Sequence, residues 1–153
     1  MTQHKRDTYV DGQEVIERAI DYLEHVSALL AEERQRGHGE RVQMLLDSVE
    51  SEQRSLLASV ERYLEDAPGK VLHTYAQYIK DLPEDLEPPE QPLDGLGLLQ
   101  WVQHANNRLY EEFEELASNV DADAPREAFG SIAQQIQSHE RRLSKEFQRF
   151  QDL

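Results

Sequence analysis

The second half of this chain repeats the first. Displaced by 87 positions, Leu45–Glu65 overlays Ile132–Asp152: Val49 falls on Ile136, Ser51 on Ser138, Arg54 on Arg141, Leu56 on Leu143, Arg62 on Arg149 and Tyr63 on Phe150. Displaced by 86, Ile16–Ala31 overlays Val102–Ala117, with Ala19 on Ala105, Leu23 on Leu109, Leu30 on Leu116 and Ala31 on Ala117. A loop absorbs the one-residue difference. Two related helical hairpins confine the chain to very few folds.

The apolar periodicity predicts each helix. Ile16, Ala19, Ile20, Leu23, Ser27 and Leu30 form one stripe over 12–36. Gly37-His38-Gly39 breaks it, with Gly37 placed as the C-terminal cap. A second helix over 40–65 carries Val42, Leu45, Leu46, Val49, Leu56, Val60, Tyr63 and Leu64. The third long helix, 94–118, carries Leu98, Leu99, Val102, Ala105, Leu109, Phe113 and Leu116. The last, 126–151, enters through Pro125, which the first turn tolerates, and carries Phe129, Ile132, Ala133, Ile136, Leu143, Phe147 and Phe150. Residues 1–11 are expected to be a loose lead-in, and no strand is expected. Between the hairpins, 70–82 is expected to be a short helix, followed by four prolines interleaved with acids over 83–92. The expected fold is all-α: an antiparallel four-helix bundle, residues 12–153, whose long crossover (66–93) carries the extra helix. The length suits one domain.

Three large polar side chains interrupt the seams. Glu52 follows Val49 on the second helix, His139 follows Ile136 on the last, and Asn106 follows Val102 on the third. The repeat pairs Glu52 with His139 and Asn106 with Ile20. A charge inside a bundle is costly unless paired, so Glu52 and His139 are expected to meet across the pseudo-twofold axis. The three are expected to form one buried polar cluster. Such a contact sets two effects on His139 against each other: the carboxylate raises its pKa and desolvation lowers it.

The helix order, the duplicated hairpin and the stretch from Phe129 to Leu143 resemble the rubrerythrin-like branch of the ferritin-like superfamily. In that family the first and third helices each give one Glu to a di-iron site, and the second and fourth each give a Glu-x-x-His pair. Here the corresponding acid slots hold Ile20, Val49, Asn106 and Ile136, and the histidine slots hold Glu52 and His139. The resemblance therefore implies the fold and a homodimer without the family's di-iron chemistry. No metal is expected; a divergent iron or manganese site would draw on His139 and Glu52.

Other residues narrow the function further. The absence of cysteine rules out disulfides, thiolate metal sites and a cysteine nucleophile. With 31 acidic against 16 basic residues, the net charge of -15 repels phosphate backbones, so nucleic acid is not an expected partner. No stretch is long and apolar enough for a membrane span, and the N-terminus lacks the apolar run of a secretory signal, so a cytoplasmic protein is expected. Glu24 and His25 lie off the stripe, His38 is expected to be isolated in its turn, and Glu111, Glu112, Glu114 and Glu115 are expected to face solvent. Tyr75, Tyr78 and Trp101 are candidate interface aromatics. The expected role is a non-catalytic bundle acting through an unidentified protein partner, with a small-ligand carrier anchored at Asn106 and His139 as a further reading.

Overall fold

In a computed structural model, residues 8–66, 69, 75–78 and 95–152 are described. Four helices dominate: α1 Gly12–Arg34, α2 Glu40–Asp66, α3 Gly95–Ser118 and α4 Asp123–Asp152. All four match the periodicity within a few residues at each end. The helix expected over 70–82 is not what forms at its centre. Tyr75–Tyr78 is a strand, β2, paired antiparallel with β1, Thr8–Asp11, so that Thr8 faces Tyr78 and Asp11 faces Tyr75. The lead-in is thus partly ordered as a two-stranded ribbon. Short runs such as Tyr-Ala-Gln-Tyr carry too little periodicity to separate strand from helix, and a pairing partner more than sixty residues away is invisible locally. The rest of the crossover lies outside the described residues.

The turns are built from local chemistry. Gly37 has φ 79°, the left-handed conformation that ends helices and strains any residue with a Cβ. Before it, Gln35 N–H donates to Glu32 O and Arg36 N–H to Glu33 O, tightening the last turn. Gly39 O accepts from Gln43 N–H and opens α2. At the other end, the Arg126 guanidinium donates to Val120 O and Asp121 O, so α4 holds the turn that enters it.

Pairs of contacts fix the helix directions. Arg41 on α2 donates to Phe150 O on α4 while Glu52 meets Arg142, so α2 and α4 are antiparallel. Gln103 meets Ser144 and Gln137 meets Tyr110, so α3 and α4 are antiparallel. Gln53 meets Asn106 while Gly95 lies against Val42, so α2 and α3 run parallel. Parallel neighbours in sequence require a connection that returns the length of the bundle, and 28 residues separate the end of α2 from the start of α3. An up-down-up-down bundle is thereby excluded. A Cβ on Gly95 would stand 3.1 Å from Val42 Cγ1 and 3.2 Å from His38 Cε1, so the start of α3 fits here because it has no side chain. His38 is not isolated: its Nε2 lies 2.9 Å from Glu33 Oε2.

The core runs the length of the bundle, from Phe113 and Phe129 at one end to Leu30 and Leu46 towards the other. Val15, Tyr22 and Val26 widen the α1 stripe beyond the expected seam. Phe147 and Phe150 are half-buried against the core rather than inside it.

Candidate functional site

The helix directions bring Glu52 and His139 together, as the repeat predicts. Glu52 Oε1 lies 3.4 Å from His139 Nδ1. The two are not equally buried: the His139 side chain is 1% exposed and that of Glu52 is 25% exposed. Arg142, one turn along α4, takes the carboxylate, with Nε donating at 2.9 and 3.2 Å to its two oxygens. Desolvation lowers the His139 pKa to about 4; Glu52 raises it and Arg142 lowers it. Burial therefore prevails, and the imidazole is neutral at pH 7.

Asn106 stands apart from that pair. It is fully buried and its carboxamide is saturated: Tyr22 Oη and Gln53 Nε2 donate to Oδ1 at 3.1 and 3.3 Å, and Nδ2 donates to Gln53 Oε1 at 2.6 Å and Glu140 Oε2 at 3.2 Å. The expected single cluster is thus two neighbouring ones. The α2 seam passes through Gln53, wholly buried, rather than Glu52 at its rim. Residues 52 and 53 are repeat mates of 139 and 140, so both polar layers straddle the same axis. Burial raises the Glu140 pKa to about 7 although Asn106 donates to it, and burial also raises that of Tyr22. Trp101 is half-buried and packs against Tyr22, with ring centroids 6.3 Å apart.

Three buried carboxylates were not legible as such. Glu50 is held by Arg34 and Arg54. Glu33 is held by Arg36 and His38. Glu112, expected at the surface with its acidic neighbours, is buried against Arg18 at 3.1 Å, and desolvation raises its pKa to about 6. For Glu50 and Glu112 a basic residue on a facing helix accompanies the burial, and helical phase alone does not say which helix faces which.

The four positions that the resemblance assigns to iron-binding acids are Ile20, Val49, Asn106 and Ile136, all buried. Three are hydrocarbon, and the carboxamide of the fourth already has its partners. Two metal ions need several carboxylates and imidazoles around them, so these residues do not fit a di-iron centre. Among the described residues, no group of three or more His, Asp or Glu side chains converges to hold a metal ion. No described helix is long and apolar enough to cross a membrane.

Between α2 and α4, beside His139, lies a groove of about 470 Å³. Ser55, Ser59 and Tyr63 line one wall; Ser131, Gln135 and His139 line the other. Comparison with known proteins finds no matching family model, curated protein or solved structure.

Proposed function

We propose that this chain is a metal-free, non-catalytic bundle of the ferritin-like kind that acts through protein contacts, as a homodimer in the cytoplasm. One observation carries the reading: at mid-height, where metal ligands would stand, the interior is filled by Ile20, Val49 and Ile136 and by an amide network that satisfies itself. A carboxylate committed to Arg142 and a neutral imidazole are what remain for a cation. Aliphatic groups offer a cation nothing to replace its hydration shell.

The test is metal analysis of protein expressed with excess iron and manganese and purified without chelator. The expected content is far below one ion per chain, unchanged by His139→Ala. Stoichiometric iron or manganese that disappears with His139→Ala would establish the competing divergent metal site at His139 and Glu52. Sedimentation equilibrium separately tests the dimer: a monomer at all concentrations removes it.

A further inference from the structure

We propose that the groove between α3 and α4 docks an acidic, extended segment of a partner protein. This groove is open and measures about 720 Å³. Gln100 and Asn107 stand on its α3 wall, Arg141 and Lys145 on its α4 wall. Their neighbours on α4 set the two cations apart. Arg142 is ion-paired with Glu52, and Arg149 with Glu146. Among the described residues, Arg141 and Lys145 have no carboxylate partner, although the chain holds 31 acids against 16 bases. They are also one turn apart on one helix, where like charges repel. Carboxylates supplied from outside would relieve that repulsion.

The rest of the wall fits a peptide better than a small anion. Gln100, Asn107, Arg141 and Lys145 are all exposed, so a lone ion would keep most of its water there. A segment laid along the groove reaches several of them at once. The carboxamides of Gln100 and Asn107 both donate and accept, which matches the N–H and C=O groups of an extended backbone. Glu140 is the one acid among the described wall residues. It accepts from Asn106 Nδ2, and burial raises its pKa to about 7, so it is only partly charged at neutral pH. The net charge of -15 opposes an acidic partner at a distance. Salt screens that repulsion beyond about 8 Å at physiological ionic strength, so the local surface decides the contact. The proposal rests on the reading that the bundle acts through protein contacts, and it names the face and the chemistry.

The experiment follows the backbone amides of α3 and α4 by NMR in the full-length, ¹⁵N-labelled protein. The probes are a synthetic peptide of alternating glutamate and serine, the same peptide with glutamine for each glutamate, inorganic phosphate, and single-stranded oligothymidylate. The expected result is a saturable shift beside the groove with the acidic peptide, and about tenfold weaker binding of the glutamine peptide. The double variant Arg141→Gln, Lys145→Gln is expected to bind the acidic peptide about tenfold less tightly. Arg62→Gln removes an exposed cation from α2 and is expected to leave binding unchanged. Thermal unfolding of each variant checks that the bundle persists. The proposal is overturned if the acidic peptide shifts nothing beside the groove, or if the glutamine peptide, phosphate or oligothymidylate binds there as tightly. It is overturned equally if Arg62→Gln weakens binding as much as the double variant does. A homodimer that dissociates in the double variant would assign the groove to a second copy and also overturn it. Metal content tests the underlying reading separately, so a metal-free chain that ignores the acidic peptide overturns this proposal alone.

Discussion

Replacing Asn106 by Leu tests whether the amide network is the device that organises the core. The two side chains share branching and heavy-atom count, although Leu is the bulkier, and every hydrogen bond of the network is lost. Glu140 is half-buried and turns to water. Tyr22 Oη and the Gln53 carboxamide are buried and have no such escape. Each stranded group costs about 1–3 kcal/mol, so the substitution is expected to cost about 2–6 kcal/mol. That is a large fraction of the ~5–15 kcal/mol that holds a domain folded. In urea, with a slope of about 2 kcal/mol per molar, the midpoint falls by roughly 1–3 M. The triple variant Tyr22→Phe, Gln53→Leu, Asn106→Leu leaves nothing stranded and is expected to regain most of the loss, because removing all partners together is far milder than removing one. The reasoning fails if the single variant loses less than about 0.5 kcal/mol, the ordinary scatter of a surface change. It fails equally if the triple variant is no more stable than the single one.

Two further outcomes follow from titration and packing. Because the folded-state pKa of Glu140 is raised to about 7 from 4.5, the folded protein holds the proton more tightly than the unfolded chain, and this contribution to stability is present below pH ~4.5 and lost as pH rises through ~7. Glu140→Gln should therefore gain on the parent between pH 5 and 8, on the order of 1–2 kcal/mol after solvent screening, measured by urea melts at each pH; a difference independent of pH refutes the assignment. His139 has the opposite sign: lowered to about 4, it withdraws stability as pH falls from ~6.5 to ~4, so the parent's own profile is flattened while the variant's is not. At the bundle end, Gly95→Val drives methyl groups into Val42 and His38. It should cost about 1–3 kcal/mol by overpacking, part of it recovered by Val42→Ala, which removes the nearest clashing methyl; a neutral Gly95→Val would show that the α3 start is not pinned there.

The helices, the antiparallel hairpins and the long crossover could be read from the chain because each is written in periodicity, and periodicity is local. The repeat added one long-range fact, the meeting of residue 52 with residue 139, and that contact forms. What could not be read depends on phase finer than a stripe provides. Residues 52 and 53 differ by 100° on the helix, and a three-four walk passes near both; only the facing helices decide that Gln53 goes inside and Glu52 stays at the rim. Glu112 shows the same limit, since its burial is set by Arg18 on a helix 94 positions away. The β1–β2 ribbon pairs two four-residue segments across more than sixty residues, with no local signature at all.

The two polar layers follow from duplication. Doubling a hairpin places each residue opposite its own copy, so an identical pair of acids near the axis would face one another and repel. This chain has no such pair: Glu52 faces His139, and Gln53 and Glu140 are linked through Asn106, which is bonded to both. Arg142, whose repeat mate is Ser55, shares the Glu52 carboxylate with His139. Burial outweighs the pull of that carboxylate and keeps His139 neutral at pH 7.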